Sequence, residues 1–483
     1  MNSKTRKIER RKEPMKTNKA TEWFRSVFKG TDQEPAKLLT AMKKNSVSSV
    51  LSSIISILIG MIVGSIVILI ISLATDNLPI SQAGDAIKLV FFGLFSTTRD
   101  SNGVLQLGFN PVNFGDMLFR ATPLIMTGLS VAIAFKTGLF NIGAPGQYLL
   151  STYVTLSIAL SIPTTVCPAW IVWIVAFIGG MAAGFVWGAI PGLLKSLLNI
   201  NEVITCIMTN WIAANLVTWL FDISNLKNAN EAGKIGYIMP TSKNGVVTPK
   251  LGLDKLFPGS QVDMGILIAI LIAVIVYIVL TKTTFGYELK ACGANRHAAK
   301  YAGIKDKRNI VLSMAIAGSL AGGAAALYWL SGHTEFYWNT SQTLPAVGFN
   351  GIPVSLLAAN NPIGVIITGI FMSMLNISGI QIRNLTGYNE YVTDIIIAII
   401  VYLSSFSLII KTWITGGRRK NTKKVEPSIV LKDNTNPVEV DFTSSKDTKT
   451  ENEEVPYDSL QGSSVADYPQ NDETPEDETK EEN

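Results

Sequence analysis

The sequence carries little charge for its length. Charged residues make up 16% of its 483 residues, whereas soluble domains average about 25%. The shortage lies in the middle of the chain. Residues 1–48 carry thirteen Lys and Arg, residues 416–483 carry seventeen Asp and Glu, and the 367 residues between them carry only 19 basic and 14 acidic side chains. So few charges cannot give a normal surface to water, which excludes an ordinary soluble protein.

Histidine and cysteine are also scarce. Two histidines and three widely spaced cysteines are too few for a zinc site or a disulfide framework. No GxxxxGK[ST] phosphate loop occurs, and no nucleophile and base can be paired. We therefore expect no catalytic residue, no metal and no cofactor; if the protein is part of a pump, its ATPase is another chain. The net charge of +5 sums a basic tail, a weakly basic middle and an acidic tail, so it indicates no nucleic-acid partner.

Long apolar runs dominate the middle of the chain. Residues Val50–Ala74 include no charged side chain in 25 residues, which is enough to cross roughly 30 Å of hydrocarbon. The sequence therefore predicts an all-α polytopic protein embedded in the lipid bilayer. Apolar segments lie near 50–74, 118–138, 145–162, 168–189, 203–221, 263–281, 309–331, 345–360, 362–379 and 392–410.

Basic residues set the predicted orientation, because cytoplasmic loops carry an excess of Lys and Arg. The N-terminal tail, the loop 282–308 with seven basic residues, and the basic stretch after Lys411 are all expected in the cytoplasm. With both termini inside, parity allows ten crossings, or eight if residues 345–379 form a re-entrant pair.

Three regions follow from this reading. We expect a basic cytoplasmic tail at 1–48, a transmembrane domain at 49–415 and a disordered acidic cytoplasmic tail at 416–483. The mixed segment Ser81–Phe95 is too short to span, and it is expected either as an interfacial helix or as a plain loop.

Two apolar segments contain interruptions. Residues 137–147 hold three glycines and Pro145, and proline lacks the N–H that a helix interior needs. A helix starting there would direct N–H groups at whatever occupies a cavity. A similar interruption occurs at Val347–Pro353. The amides at the two breaks are expected to line a translocation path: Asn141, Gln147 and Asn350. A simple turn between helices explains each break about as well.

The fifth apolar segment carries a third polar cluster. Asn210 lies mid-span and is expected on the path, the alternative being an amide that bonds a neighbouring helix. Glu202 is expected either on the path or as a helix-end charge that complements the helix dipole. Small residues at 179–184 and 315–326 predict close helix packing.

The loop 282–308 is the predicted docking surface for a soluble partner. Residues Arg296–Ala302 form a good short helix, which Gly303 is expected to end. A short cytoplasmic helix between two spans fits a cleft on another protein.

Four ordered motifs carry a family resemblance over about residues 115–410. They are Phe140-Asn-Ile-Gly with Gly146-Gln147, Asn201-Glu-Val-Ile with Asn210, Gly293-Ala-Asn295 with Ala298-Ala299 and Gly303, and Gly348-Phe-Asn-Gly-Ile352 with Asn360-Asn-Pro-x-Gly364. The chain resembles the permease subunit of bacterial ATP-binding-cassette importers in the ribose, galactose and branched-chain amino-acid superfamily. It is most similar to the nucleoside branch, which basic-membrane-lipoprotein binding proteins serve. Many relatives have Glu where this chain has Pro145, so no role of that acid is carried over.

The resemblance implies a nucleoside importer subunit of the bacterial cell membrane, without enzymatic activity of its own. It implies cytoplasmic ATPase subunits, a second permease chain, identical or related, and an extracellular substrate-binding lipoprotein as partners. It also implies a coupling helix that contacts the ATPase: Asn295, Ala298, Ala299 and Gly303. The alternatives are a sugar importer of the same architecture and a channel or carrier that needs no ATPase.

Overall fold

The computed structural model describes residues 45–74, 80–101, 103–228, 236–338, 343–389 and 391–404. The predicted C-terminal tail and all but the last residues of the predicted N-terminal tail lie outside the described residues. The helices of the described part are α1 (Asn45–Ala74), α2 (Ile80–Phe92), α3 (Pro111–Lys136), α4 (Ala144–Ser161), α5 (Ala169–Leu198), α6 (Glu202–Asp222), α7 (Leu253–Leu256), α8 (Gly265–Lys282), α9 (Thr284–Ala294), α10 (Arg296–Tyr301), α11 (Asp306–Trp329), α12 (Ala346–Leu357), α13 (Pro362–Leu385) and α14 (Tyr391–Ser404).

Each of the ten predicted apolar segments coincides with a helix, which confirms the polytopic all-α class. Seven helices of the described chain are long and apolar enough to cross a membrane: α1, α3, α5, α6, α8, α11 and α13. The helices α12 and α14 are apolar but shorter, with 12 and 14 residues. The number of crossings and the orientation stay predictions.

The segment Ser81–Phe95 is helical. Helix α2 covers most of it, and a 3₁₀ turn at Gly93–Phe95 follows, so the plain-loop alternative is wrong. An antiparallel hairpin, β1 (Ser96–Arg99) and β2 (Leu105–Leu107), comes next. The guanidinium of Arg99 donates to the carbonyl oxygen of Leu385 and pairs with Asp85, which ties the hairpin to the end of α13.

Glycines let α5 and α11 pack backbone against backbone. A Cβ atom added to Gly184 would collide with the carbonyl oxygen of Gly318, and one added to Gly318 would collide with that of Gly184. The same close approach recurs one turn away at Gly180 and Gly322. The predicted small-residue packing is therefore confirmed.

The two ends of the bundle differ. At one end the described part of the long loop 223–262 folds onto helix ends: Thr248 accepts a hydrogen bond from the indole of Trp173 and donates to the carbonyl of Leu330. At the other end α9 lies beside the junction of α3 and α4. This second end holds most of the polar residues that the sequence singled out.

Candidate functional site

The first predicted break is present. Helix α3 ends at Lys136, α4 begins at Ala144, and the residues between them are not helical. Gly138 has a φ of 73°, a left-handed conformation that favours glycine. Pro145 lies in the first turn of α4, where its missing N–H removes no helical hydrogen bond. The interruption predicted at residues 137–147 is confirmed.

Two amides of the break bond to each other. Nδ2 of Asn141 donates to Oε1 of Gln147 at 2.9 Å, and Nε2 of Gln147 donates to Oδ1 of Asn141 at 3.1 Å. Asn141 also donates to the hydroxyl of Ser130 and accepts from the N–H of Gly143. Both amides are almost completely buried. A buried network whose groups are satisfied rigidifies its surroundings, so this pair fixes the break onto α3.

Asn210 joins the same break to α6. Its Oδ1 accepts from the backbone N–H of Gly146 at 2.9 Å, and its Nδ2 donates to the carbonyl of Ile142 at 3.0 Å. Asn210 lies eight residues after Glu202, the first residue of α6, or about 12 Å along the helix. The break therefore dips into the bundle. The expectation that N–H groups here face a cavity is wrong for Gly146, because its N–H donates a hydrogen bond to Oδ1 of Asn210.

The second predicted break lies elsewhere. Residues Val347–Pro353 lie within the helix α12, so the interruption expected there is wrong. Pro353 removes one helical hydrogen bond, but packing from neighbouring helices holds the helix together. The chain leaves the helix after Leu357, where Ala359 and Asn360 have φ values of 50° and 56°.

The two glycine-rich segments touch. A Cβ atom added to Gly348 would lie 2.6 Å from the Cα atom of Pro145, and one added to Gly351 would lie 2.6 Å from the carbonyl carbon of Thr127. The glycines of α12 therefore permit its backbone to rest on the start of α4 and on α3. Gly348 and Gly351 therefore allow this close contact and do not mark a break in the helix.

Asn350 differs from the other three amides, because it is only half-buried. It faces a cavity of about 570 Å³ between α12 and α14. The residues that line this cavity are Ala346, Asn350, Pro353, Asp394, Ile397, Ala398 and Tyr402. Asn350 therefore lines a cavity, whereas the other three amides expected on a path are buried.

Glu202 starts α6 and forms an ion pair with Lys195 near the end of α5, with 2.9 Å between Nζ and Oε2. A carboxylate in the first turn of a helix also complements the dipole. Both observations favour the helix-end role for Glu202.

The predicted short helix of the loop 282–308 is α10. The side chain of Asn295 caps it by accepting from the N–H of Ala298 at 3.0 Å, and Gly303 ends it with a φ of 82°. Ala298 is exposed, whereas Ala299 is 4% exposed and packs inward. The exposed face of α10 also presents Tyr301, at 93% exposure. Asn295 and Gly303 therefore shape the helix, and the residues of its outer face are the ones open to a partner.

Ion pairs hold this loop to α11. Arg296 pairs with Asp306 at 2.7 Å, and Arg308 pairs with Glu288 at 2.9 Å. The amide of Asn309 also donates to Glu288 at 3.0 Å. The hydrogen bond from Asn309 and the nearby Arg308 lower the pKa of the Glu288 carboxyl. The loop is thus attached to the bundle as an ordered unit.

The loop also touches the break, which no motif predicted. A Cβ atom added to Gly293 in α9 would collide with the carbonyl oxygen of Lys136 and would lie 3.0 Å from the backbone nitrogen of Gly138. Next to this contact the hydroxyls of Thr137 and Ser313 are 2.6 Å apart. The loop that carries the exposed face of α10 is therefore in backbone contact with the interruption between α3 and α4.

A buried carboxyl lies at the opposite end of the bundle. Asp263 is 3% exposed; one of its oxygens accepts from the N–H of Gly265 at 2.7 Å, and the other has no hydrogen-bond partner within the described part of the chain. Burial raises the pKa of Asp263 to about 6, against the lowering effects of that N–H and of Lys250. Within the described ranges, no three His, Cys, Asp or Glu side chains are grouped as metal ligands.

Comparison with known proteins identifies the class of this bundle. Residues 113–405 match the family described as the permease component of branched-chain amino acid transport systems. A guanosine ABC transporter permease protein of Bacillus subtilis is 36% identical over 62% of this chain and 82% of its own length. A nucleoside ABC transporter permease protein of Lactococcus lactis is 34% identical over 64% of this chain and 87% of its own length. A glucose ABC transporter permease protein of Haloferax volcanii is 29% identical over 66% of this chain and 83% of its own length. No solved structure matches the chain.

Proposed function

Because the chain belongs to the family of permease components of branched-chain amino acid transport systems, we propose that it is the transmembrane subunit of an ATP-driven importer of nucleosides. It is a multi-pass protein of the bacterial cell membrane. The observation that carries the proposal is the similarity, at 36% and 34% identity, to permeases named for guanosine and nucleosides. The weaker similarity to a glucose permease makes a sugar importer the second candidate.

The proposal includes partners that supply energy and substrate. We infer that cytoplasmic ATPase subunits bind the outer face of α10, around Ala298 and Tyr301, and that Asn295 and Gly303 hold that face in shape. An extracellular substrate-binding lipoprotein delivers the nucleoside, and a second permease chain, identical or related, completes the path. The excess of basic residues in the loop 282–308 supports a cytoplasmic position for this surface, and with it both termini inside and ten or eight crossings.

The contact between Gly293 and Lys136 supports a mechanism of alternating access. When the ATPases close, they shift α10 together with α9, since ion pairs hold both helices to the start of α11. The shift reaches the end of α3 through Gly293 and so moves the interrupted helix. Asn141, Gln147 and Asn210 brace the break along the path, and Asn350 faces the path itself.

The importer function is tested by uptake of radiolabelled guanosine into cells that lack other nucleoside importers. We expect uptake when the full chain and its companion subunits are present, and loss of uptake when the companion ATPase is deleted. Uptake that persists unchanged without the ATPase would support the channel or carrier instead. Uptake of glucose in place of guanosine would favour the second candidate.

The docking surface is tested by Ala298→Arg. Ala298 is exposed, so arginine there is expected to leave folding intact while its bulk and charge block the ATPase. The matched control is Asp254→Arg, which places the same side chain at an exposed position of α7. Arginine at Ala299 is a poor test, because that position is buried and the variant is expected to misfold. Normal uptake by Ala298→Arg would remove this face from the coupling mechanism.

A further inference from the structure

Helix α6 has two faces with different surroundings. Its buried residues include Cys206, Asn210, Ala213, Val217 and Phe221. The residues two positions before each of these are all exposed: Ile204, Met208, Trp211, Asn215 and Trp219. Two residues correspond to about 200° around a helix, so the exposed set lies opposite the side that packs on the break and on α4. We call this exposed set the α6 face.

Two polar side chains of the α6 face lie deep within the span. Helix α6 begins at Glu202 and ends at Asp222, which are about 30 Å apart along the axis, close to the thickness of the hydrocarbon core. Trp211 follows Glu202 by about 14 Å, and Asn215 precedes Asp222 by about 10 Å. Both side chains are therefore far from the charged ends of the helix.

Trp211 and Asn215 leave hydrogen-bonding groups open at this depth. The amide nitrogen of Asn215 donates to the carbonyl of Trp211 at 2.8 Å, which uses one of its two N–H groups. Within the described part of the chain, Oδ1 of Asn215 and the indole N–H of Trp211 take part in no hydrogen bond. Lipid tails offer no hydrogen bond, and an unsatisfied polar group in hydrocarbon is costly. The two groups therefore indicate a polar partner at the same depth.

The helices α5 and α8 show what a face in contact with lipid contains. Every exposed residue within 174–186 of α5 and within 267–278 of α8 is apolar. The exposed Trp170 of α5 lies in the first turn of its helix, at the membrane interface where tryptophan is enriched. Trp211 lies in the middle of its helix instead. Contact with lipid therefore does not account for the α6 face.

The depth of the open groups selects among the partners of an importer subunit. ATPase subunits are cytoplasmic and a binding lipoprotein is extracellular, so neither reaches the middle of a span. A second permease chain has spanning helices of its own. Tryptophan and methionine are enriched where protein surfaces meet, and polar side chains link helices inside membranes.

We propose that the α6 face is the contact surface for the second permease chain, whose facing helix carries a hydrogen-bonding side chain at the depth of Asn215. This inference rests on the second permease chain of the proposed function. Trp211 is the central anchor of the contact, and Asn215 fixes the depth of the two facing helices relative to each other. The opposite side of α6 holds the break through Asn210, so one helix joins the break to the partner chain.

The contact is tested by photo-crosslinking in membranes of cells that express the full chain with its companion subunits. Benzoylphenylalanine, a photoreactive aromatic residue, replaces Trp211 in one variant and Ile275 in the control. Ile275 lies on α8 and is similarly exposed, at 48% against 54% for Trp211. We expect irradiation to join the Trp211 variant to a second permease, identified by mass spectrometry as another copy of this chain or as a companion permease. The Ile275 variant is expected to join to no permease.

A pair of alanine variants measures the strength of the contact. Trp211→Ala is expected to reduce the amount of second permease that copurifies with a tagged chain about tenfold, as for a tryptophan at the centre of an interface. Trp170→Ala, the matched control, is expected to reduce it less than about twofold. Both tryptophans are exposed in the single chain, so neither variant is expected to lower the melting temperature of the chain purified alone. A Trp211→Ala variant that melts normally and retains the second permease overturns the contact.

The crosslinking outcomes separate the interface from the nucleoside function. A Trp211 variant that is joined to lipid alone or to the ATPase overturns the interface, and so does an equal yield of crosslinked permease from the Ile275 variant. Nucleoside uptake without the crosslink overturns the interface alone. A crosslink to the second permease in cells that take up no nucleoside supports the interface and overturns the nucleoside function.

Discussion

Replacing Asn210 by alanine separates two roles that an amide in a membrane helix can have. Asn210 bonds to the N–H of Gly146 and to the carbonyl of Ile142, both in or next to the break. If Asn210 braces the break, Asn210→Ala destabilises the protein and slows transport together. If it instead contacts the passing substrate, transport changes while stability does not.

The size of the effect follows from the two hydrogen bonds. Asn210 is 2% exposed, so truncation leaves the buried N–H of Gly146 and the partly buried carbonyl of Ile142 without their partner. Each such group costs about 1–3 kcal/mol, which gives about 2–6 kcal/mol for the pair. Side-chain hydrogen bonds between membrane helices have been worth about 0.6 kcal/mol on average, so the two bonds contribute about 1 kcal/mol at the low end.

The assay is thermal unfolding of the full-length chain in detergent, followed by size-exclusion chromatography of the protein that stays soluble. Asn215→Ala is the matched control: Asn215 lies on the same helix and is exposed, and its amide donates to the carbonyl of Trp211 on its own helix. We expect a lower melting temperature for Asn210→Ala and little change for Asn215→Ala. A wild-type melting temperature for Asn210→Ala with loss of uptake would refute the brace and return Asn210 to the lining of the path.

Three further substitutions test other contacts. Gly318→Ala is expected to lower the melting temperature, because overpacking costs about 1–3 kcal/mol. The control Gly84→Ala, with open space around its Cβ position, is expected not to lower it. Equal melting temperatures for the two variants would refute the close packing. Because the pKa of Asp263 is raised to about 6 from 3.8, its protonation favours the folded state, and stability falls as the pH rises through about 6. Asp263→Asn is therefore expected to reduce the difference in stability between about pH 5 and about pH 8, by up to about 1.4 kcal/mol, and an unchanged difference would contradict this. Gly293→Ala, which collides with the carbonyl of Lys136, is expected to reduce uptake with normal membrane insertion, and unchanged uptake would argue against transmission through this contact.

Apolar length made the helices predictable. A span must bury about 20 apolar residues in hydrocarbon, so runs such as Val50–Ala74 and the interruption at 137–147 follow from composition and from the missing N–H of Pro145. The end of α10 could also be predicted locally, because a glycine such as Gly303 commonly follows the last residues of a helix. These features depend on residues that are neighbours in the chain.

The contacts that organise the site join residues far apart in the chain, and the sequence pattern did not reveal them. Asn210 and Gly146 are 64 residues apart, and nothing in the sequence of either segment indicates that the two are in contact. The glycines and the proline of Val347–Pro353 predict a break because these residue types disfavour a helix interior. Tertiary packing against Pro145 and Thr127 holds that segment helical, and such packing routinely overrides local propensity.

The break has a further property that follows from its bonds. Its amides are satisfied within α3, α4 and α6, so the break moves as a braced unit. Under the proposed mechanism, a shift at Gly293 displaces the start of α4 as one body, and α12 follows because Gly348 rests on Pro145. A displacement of α12 changes its separation from α14 and hence the cavity that holds Asn350 and Asp394. Two backbone contacts, Gly293 with Lys136 and Gly348 with Pro145, therefore connect the proposed docking surface to α12.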